Sequence, residues 1–352
     1  MSIFSLNLKE AEGLLEAQKA LKQGNHLVVS TDTVPGLTIS LNDSTSHTRL
    51  LKIKGYEESR PFTWHFPDIS KLQEMLHVLP PGLPKLIESA LKDKCTVIVP
   101  KRWLKVPENI RWPFQNIGLR VPQNDEWKKL FKDIDTPVLA TSANQQGEKP
   151  LFGEELKKWA INKRILYSEE ALHLQGSAST VLDLSKSKPL SLRGEWPKEL
   201  KLPGKKIVIV CTGNTCRSPL AAEILKKQVK KTWGLATLKI KDWGWEIVSA
   251  GIAAQEGIEA NKNSQIIAQE MGLDLSSFRS QSIFSLQQEG FDEILGMTRS
   301  HYHQEFKNFH LIDPENKEID DPFGSNIESY RRTSISLETA IQRRIRLWQK
   351  ER

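Results

Sequence analysis

The chain has 352 residues, a net charge of +7 and an isoelectric point near 9.1. This length is typical of two domains, each able to form its own core. The apolar runs are too short to span a bilayer, no secretory signal is evident, and three cysteines do not make a disulfide framework. We therefore predict a cytoplasmic protein without a membrane segment. Its evenly spread positive charge permits contact with RNA, such as tRNA or double-stranded RNA, and a solvated surface of mixed charges is the alternative interpretation.

The first half begins with a predicted helix and strand and continues through a series of short polar motifs. Apolar residues from Leu8 to Leu21 recur at roughly helical spacing, and Gly24 is typical of a helix end. Leu27–Val29 reads as a strand. The motifs that follow it are Ser30–Leu37, Lys52–His65, Gly118–Pro122, Ala140–Asn144, Ser179–Leu184 and Leu192–Gly194.

In this order, the six motifs resemble those of the YrdC-like threonylcarbamoyl-AMP synthases. The resemblance implies an open twisted α/β sheet over residues 1–196. It also implies that L-threonine, bicarbonate and ATP, with Mg²⁺, form threonylcarbamoyladenylate, the first step toward threonylcarbamoyladenosine in tRNA. The threonine contacts that it implies are Thr33, His65, Arg120, Ala140 (through its backbone) and Ser179. The implied ATP contacts are Lys54, Arg60, Thr96, Ser142, Asn144 and Arg193. No protein side chain is assigned as a metal ligand.

Several positions depart from the motif pattern of these synthases. The expected Lys-x-Arg reads Lys54-Gly55-Tyr56, so one guanidinium that would face the nucleotide is missing, and tyrosine cannot supply its charge. Lys92–Cys95 replaces a Pro-Gly-Pro before Thr96. Two interpretations follow: an active synthase, or a non-catalytic module that keeps an RNA- or nucleotide-binding cavity. For His65, simple packing is the alternative to a threonine contact.

A stretch rich in proline, glycine and lysine separates the two halves. It runs from Gly194 to Lys206 and has the composition of a short solvated linker, which we place at residues 197–205.

The second half starts with the stretch that carries the clearest chemistry of the chain. Ile207–Val210 is an apolar β-branched run typical of a buried parallel strand, and Pro219 suits the start of a helix. The loop between them, Cys211 to Ser218, should present free N–H groups at the helix N-terminus and bind an anion there. The helix dipole and Arg217 should favour a thiolate at Cys211. Covalent phosphoryl transfer to cysteine requires this combination.

Further elements of the second half are predicted from their apolar spacing. A strand is expected within Lys239–Gly251, a helix over Ala260–Met271, a strand over Phe291–Met297 and a helix from near Ile327. On the last helix, the expected apolar face consists of Ile335, Leu337, Ile341 and Ile345. Arg343–Arg346 are interpreted as cations that complement the dipole near its C-terminus. Trp243 and Trp245 are expected to pack rather than to stack on bases.

The strand–loop–helix and three later motifs resemble the low-molecular-weight protein phosphatases. These motifs are Ser249–Gly251, Met297–His301 and Asp321–Gly324. The resemblance implies a doubly wound, parallel four-stranded sheet with helices on both faces over residues 206–352. It assigns Cys211 as the nucleophile, Arg217 as the phosphoryl clamp, Ser218 as thiolate support and Asp321, rather than Asp320, as general acid. The remaining phosphate-binding and specificity residues are Thr212, Gly213, Asn214, Thr215, Cys216 and Phe323.

Thr215, the Asp-Pro-Phe-Gly loop and the Ser325–Tyr330 segment after it resemble the protein-arginine-phosphatase branch of these enzymes. The Thr215 hydroxyl could bind water or a guanidinium N–H, which the isoleucine of tyrosine-specific relatives cannot do. We therefore expect a phosphoprotein substrate, with phosphoarginine favoured and phosphotyrosine next. An arsenate reductase is disfavoured because no cysteine follows Cys216. For Cys216, a disulfide that protects Cys211 and a simple buried role both remain open.

Overall fold

The computed structural model of the protein describes residues 4–350, apart from 42–44, 78, 80–81, 135, 233–238 and 287–289. The chain divides into two compact units. Residues up to 79 and 85–201 form the first, and the second contains residues from Leu202 onward. The division falls inside the predicted linker, whose bounds at 197–205 stay a prediction. Within the described residues, no helix is both long and apolar enough to cross a membrane.

The first unit contains a mixed sheet of ten described strands. Their order is β1-β8-β2-β3-β7-β4-β6-β5-β9-β10. The strands are Ser5–Leu6 (β1), Leu27–Val29 (β2), Gly36–Ser40 (β3), Thr63–His65 (β4), Thr96–Pro100 (β5), Asn116–Arg120 (β6), Val138–Ser142 (β7), Leu166–Ser168 (β8), Val181–Asp183 (β9) and Leu190–Arg193 (β10). The helices are Ala11–Lys22 (α1), Thr45–Lys54 (α2), Ile69–Met75 (α3), Leu83–Lys92 (α4), Asp125–Phe131 (α5), Gly153–Asn162 (α6) and Glu169–His173 (α7).

One hydrophobic core of this unit lies between its sheet and two helices. Ala17 and Leu21 of α1 and Trp127 of α5 pack with Leu27 of β2 and Val138 of β7, all at most 1% exposed. The helical spacing of the N-terminal apolar residues therefore predicted α1 correctly. Leu15, which shares that spacing only loosely, is 67% exposed.

The second unit is a four-stranded sheet in which every pair is parallel, in the order β12-β11-β13-β14. Its elements are Lys206–Cys211 (β11), Arg217–Thr232 (α8), Glu246–Gly251 (β12), Lys262–Glu270 (α9), Glu293–Gly296 (β13), Phe309–Leu311 (β14) and Ile327–Lys350 (α10). The sheet and its helices confirm the predicted fold class. The first helix begins at Arg217, two residues before the predicted start, and Ile240–Trp243 forms a short 3-10 turn before β12.

The apolar side chains of β11 point alternately to the two faces of this sheet and are buried on both. Val208 and Val210 pack with Ile283 and Phe306 on one face. Ile207 and Ile209 point to the opposite face and are fully buried. A strand that is covered on both sides explains the continuous apolar run in the sequence.

Two expectations about the last helix, α10, were wrong. Leu337, Ile341 and Ile345 are buried at i, i+4 spacing, but Ile335 is 63% exposed, because it lies out of that register. Arg344 is not a surface cation at the helix end. It is buried, donates to the carbonyls of Leu311 and Ile312, and α10 continues to Lys350. Trp243 and Trp245 are buried, as expected for packing residues.

Candidate active sites

The loop between β11 and α8 has free N–H groups at the start of a 16-residue helix. The carbonyls of Cys211, Thr212 and Thr215 accept backbone hydrogen bonds of 2.9–3.0 Å from segments after β12 and before α9. Within the described chain, no partner is found for the N–H groups of residues 212–216. Neighbouring segments thus donate hydrogen bonds to carbonyls of the loop, while the N–H groups of the loop and the helix N-terminus remain available to an anion.

Asn214 holds the loop in shape with its buried side-chain amide. Its φ of 52° lies in the left-handed region, which asparagine tolerates better than most residues. Its Nδ2 donates to Ser218 Oγ at 2.8 Å and to Ser249 Oγ at 3.0 Å. Its Oδ1 accepts from the Gln281 backbone N–H at 2.9 Å. One side chain therefore connects the loop, α8 and the end of β12.

The end of β12 approaches the loop too closely for a side chain. A Cβ on Gly251 would lie 2.5 Å from Thr212 O and 2.9 Å from Asn214 N. Glycine is required here because the contacting atoms belong to the backbone and cannot move aside. The Ser249–Gly251 motif thus supplies a hydroxyl contact and a close approach to the same loop.

Cys211 is buried and has a hydroxyl beside its sulfur. Its Sγ lies 3.0 Å from Ser218 Oγ. Since Asn214 already donates to that oxygen, the hydroxyl proton of Ser218 can be given to sulfur, although Ala250 O at 3.2 Å is a competing acceptor. A hydroxyl donor directed at sulfur can stabilise negative charge on that atom.

Arg217 connects the loop to the segment that carries the predicted acid. The guanidinium is 4% exposed; its Nη1 donates to Ile319 O at 3.0 Å, and its Nη2 donates to the Asp321 carboxylate. Its Nε is buried and has no hydrogen-bond partner in the described chain. The structure therefore brings Asp321, and not Asp320, to the guanidinium, and the Nε N–H stays available to a ligand oxygen.

His301 supports the loop from the segment after β13. Its Nδ1 accepts from the Thr298 N–H at 3.1 Å, so Nε2 carries the proton and donates to Thr212 Oγ1 at 3.1 Å. Burial, aided by the positive charge of Arg217, lowers the pKa of His301 to about 4. The neutral ring orients Thr212 without adding charge to the site.

Cys216 points to Tyr330 of α10. The Sγ is buried and lies 3.5 Å from the Tyr330 hydroxyl. Burial raises the pKa of both Cys216 and Tyr330, so both groups are neutral. Thr215 is partly exposed beside this pair, and Phe323 is 70% exposed on the acid loop.

The second candidate site is a cavity of about 340 Å³ on one face of the sheet in the first unit. Alternating residues of neighbouring strands line it, because side chains two apart share a face. The register pairs His65 of β4 with Arg120 of β6, and Thr63 with both Gly118 and Ala140. The five predicted threonine contacts all line this cavity, together with Arg60, Thr96, Ser142 and Arg193.

His65 is a neutral hydrogen-bond acceptor in the cavity wall. Burial, aided by the positive charge of Arg120, lowers its pKa to about 3. Its Nδ1 contacts Thr63 O at 3.2 Å and therefore carries the proton, which leaves Nε2 as an acceptor.

Arg120 is buried and already paired within the protein. It donates to Asp32 Oδ1 at 2.6 Å and to Cys95 O at 3.0 Å. The second oxygen of Asp32 accepts from the Gln123 N–H at 3.1 Å. Because the pair is almost fully buried, Asp32 largely neutralises this cation.

A chain of three polar side chains forms another part of the cavity wall. Arg193 donates through Nε to Ser179 O at 2.8 Å and through Nη2 to Ser179 Oγ at 3.1 Å. The same Oγ lies 2.9 Å from Thr96 Oγ1. These contacts orient Ser179 and Thr96 together.

Lys54 and Asn144, two of the predicted ATP contacts, are not among the residues that line the cavity. Lys54 is 1% exposed and donates to Ser142 O at 2.9 Å and to Asn144 O at 2.7 Å. Burial lowers the pKa of Lys54 to about 8, and Glu148 partly offsets the shift. In this arrangement the ammonium orients the Ser142–Asn144 turn.

Comparison with known proteins identifies the families of both units. Residues 19–194 match the sequence model of the family Sua5–YciO–YrdC, described as "Telomere recombination", and residues 206–351 match low molecular weight phosphotyrosine protein phosphatase. The chain belongs to both families. A protein-arginine-phosphatase of Geobacillus stearothermophilus is 34% identical over 153 residues, which cover 39% of this chain and 92% of that protein. A putative threonylcarbamoyl-AMP synthase of Mycobacterium tuberculosis (strain H37Rv) is 24% identical over 195 residues, or 53% of this chain and 85% of that protein.

Solved structures match each unit separately. The YwlE arginine phosphatase from G. stearothermophilus has 31% identity and a TM-score of 0.36, covering 42% of this chain and 94% of its own. E. coli YciO has 22% identity and a TM-score of 0.45, covering 54% of this chain and 92% of its own.

Several residues of the two sites were not singled out from the sequence. In the phosphatase domain these are His301, Ser249 and Tyr330, and in the Sua5–YciO–YrdC domain they are Asp32 and Phe62. His301 and Ser249 lie in motifs already quoted, and Asp32 sits between two threonines, so their polar character was a usable signal. Phe62 and Tyr330 also lie in quoted motifs, Lys52–His65 and Ser325–Tyr330, but they gave no separate signal because aromatic residues more often pack in cores.

Proposed function

We propose that the protein is a bifunctional enzyme. The first domain forms L-threonylcarbamoyladenylate from L-threonine, bicarbonate and ATP, and the second is a cysteine-dependent protein phosphatase that prefers phosphoarginine. The observation that carries the phosphatase proposal is a pair of contacts at the start of α8: Ser218 lies at the sulfur of Cys211, and the neighbouring Arg217 pairs with Asp321. For the synthase it is the shared cavity of the five predicted threonine contacts with Arg60 and Arg193.

Phosphoryl transfer would proceed in two steps at Cys211. The thiolate attacks phosphorus, an S–P bond forms, and the P–N bond of phosphoarginine or P–O bond of phosphotyrosine breaks as Asp321 donates a proton to the leaving group. Asp321 then takes a proton from water, which attacks phosphorus and releases phosphate and the thiolate. Loop N–H groups and the free Nε of Arg217 stabilise the equatorial oxygens throughout.

Thr215 supports phosphoarginine as the preferred substrate. Relatives named for arginine and for tyrosine dephosphorylation both reach 34% identity, so their names do not separate the two substrates. Thr215 is partly exposed on the phosphate loop, where its hydroxyl can accept a guanidinium N–H. Phosphotyrosine is the second candidate.

Thr215→Ile is expected to shift the ratio of kcat/KM for phosphoarginine over phosphotyrosine by about 10–100-fold toward phosphotyrosine, because it removes a polar contact and adds an apolar one. The measurement uses a phosphoarginine peptide and a matched phosphotyrosine peptide. Thr215→Ser keeps the hydroxyl and serves as the control, with a ratio within about threefold of the parent's. An unchanged ratio in Thr215→Ile would refute the assigned role.

The cavity of the first domain suits an amino acid and a nucleotide. The neutral His65 offers an acceptor for the amino or hydroxyl group of threonine, and the Ser179–Thr96–Arg193 chain offers donors. Within the described chain, no group of three His, Cys, Asp or Glu side chains is arranged to hold a metal. Mg²⁺ is therefore proposed to enter bound to the ATP phosphates. Contact with tRNA or double-stranded RNA stays a prediction, as does a cytoplasmic location.

The synthase proposal is tested by pyrophosphate release from ATP. We expect release that requires both L-threonine and bicarbonate, with either omission reducing it to background. Adding the Cys211→Ser exchange removes phosphate release by the other domain from the assay. Nucleotide binding without pyrophosphate release would instead support the non-catalytic binding module.

A further inference from the structure

Tyr56 stands where the synthase motif has an arginine. It lines the cavity, and backbone hydrogen bonds at the end of a helix fix its position. Helix α2 ends at Lys54, and Gly55 follows it in the left-handed region, at φ 72°. The Gly55 N–H donates to Lys52 O at 3.2 Å, and the Tyr56 N–H donates to Leu51 O at 3.0 Å. This pair of bonds is a Schellman end, which fixes where the side chain of Tyr56 leaves the helix.

Arg60, which follows Tyr56 a few residues later in the chain, places its guanidinium over the Tyr56 ring. Its guanidinium carbon lies 4.3 Å from the centroid of the Tyr56 ring, and both residues line the cavity. The backbone of Arg60 is also anchored, because its carbonyl lies 2.7 Å from His47 Nε2. His47 is itself packed against the rings of Phe62 and Trp112.

The three arginines that line the cavity differ in what their guanidinium groups already bind. Arg120 is paired with Asp32, and Arg193 donates to Ser179. For Arg60, the described residues provide no hydrogen bond or ion pair to the guanidinium; its contact is the face of Tyr56. All its N–H donors are therefore available to a ligand, and a ring face does not neutralise its charge.

We propose that Tyr56 is a positioning residue that holds the Arg60 guanidinium at the cavity, where Arg60 binds the phosphates of the nucleotide. The cation missing at position 56 is thereby supplied from position 60. This inference rests on the proposed synthase function. It assigns the two residues one shared role, since the ring holds the guanidinium by its face and leaves the N–H edges for phosphate oxygens.

The test measures binding of ATP and of adenosine to the full-length chain by calorimetry, together with kcat and KM for ATP. Arg60→Ala is expected to weaken ATP binding at least about tenfold, as for the loss of a charged hydrogen bond, and to leave adenosine binding unchanged. Tyr56→Leu should weaken ATP binding about threefold to tenfold, with the effect in KM rather than kcat. Tyr56→Phe keeps the ring face and should bind ATP as the parent does.

A relocation variant keeps the proposal testable if a single exchange disturbs folding. Tyr56→Arg combined with Arg60→Ala should recover most of the ATP affinity that Arg60→Ala loses. Equal weakening of ATP and adenosine would overturn the proposal, since it would place the pair at the base or show general damage. Unchanged ATP affinity in both Arg60→Ala and Tyr56→Leu would overturn it as well.

The same data separate this inference from the synthase proposal. ATP binding with the expected variant effects, but no pyrophosphate release, would contradict the synthase and leave the role of Tyr56 intact. Pyrophosphate release that is unchanged in Arg60→Ala and in Tyr56→Leu would support the synthase and contradict the role of Tyr56. A parent chain without ATP binding would overturn both.

Discussion

Replacement of Cys211 by serine is expected to lower kcat for phosphate release from phosphoarginine and phosphotyrosine substrates by a factor on the order of 10⁴ or more. Sulfur is the atom that must attack phosphorus, and a hydroxyl at this position is almost entirely protonated at neutral pH. The surrounding contacts cannot compensate, because Ser218 Oγ stabilises an anion only if one forms. Initial rates of phosphate release measure the effect.

Cys95→Ser is a matched control for this exchange. Cys95 is a buried free cysteine of the other domain, so the same chemical change there should leave phosphatase rates within about twofold. Pyrophosphate release by the first domain should also persist in Cys211→Ser. Residual phosphatase activity above about one percent would contradict the role of Cys211 as the nucleophile.

Asp321→Asn is expected to lower kcat by about 10²–10⁴-fold for substrates with poor leaving groups, because an amide cannot donate the proton that the departing group requires. The loss should shrink markedly for p-nitrophenyl phosphate, whose leaving group departs without protonation. The exchange also removes the negative partner of Arg217. Comparing kcat over a series of aryl phosphates therefore separates proton donation from the loss of this ion pair.

The neighbouring carboxylate provides the control for Asp321. Asp320 is exposed and does not share the contact of Asp321 with Arg217, so Asp320→Asn should change kcat by less than about threefold. Equal effects of the two exchanges would refute the assignment of Asp321 as the acid. So would a loss in Asp321→Asn that is the same for good and poor leaving groups.

Local patterns in the second domain were enough to predict its strand–loop–helix. The β-branched run of β11 and the turn residues after it are properties of neighbouring residues, and the structure follows them closely. The start of α8 at Arg217 is the exception. Proline suits the first helical position but is also tolerated within the first turn, where its missing N–H has no helical partner.

Longer-range contacts account for the expectations that were wrong. Helical spacing marked Ile335 as apolar, but burial depends on the side of α10 that the sheet occupies, and Ile335 faces solvent. Arg344 was interpreted from its position in a basic run. Its actual partners, the carbonyls of Leu311 and Ile312, lie more than thirty residues away.

The motifs of the first domain predicted residues that line a cavity, but they did not predict which basic side chains are already paired within the protein. Lys54 and Arg120 were both expected to be available to ligands. In the folded chain, backbone carbonyls hold Lys54 and Asp32 pairs with Arg120, whereas Arg60 rests on Tyr56 with its donors free. Which cation is free depends on contacts between residues about 90 positions apart, and no local pattern encodes these.

Sequence alone was sufficient to recognise two α/β domains of enzyme families in one chain and to single out Cys211, because a cysteine on a strand–loop–helix is encoded by adjacent residues. The tertiary structure decided which groups meet around its loop: Ser249 at Asn214, Asp321 at Arg217, and His301 at Thr212. The physical reason is that hydrogen bonds and charge pairing act over a few ångströms, and only folding brings residues so distant in the chain within that range.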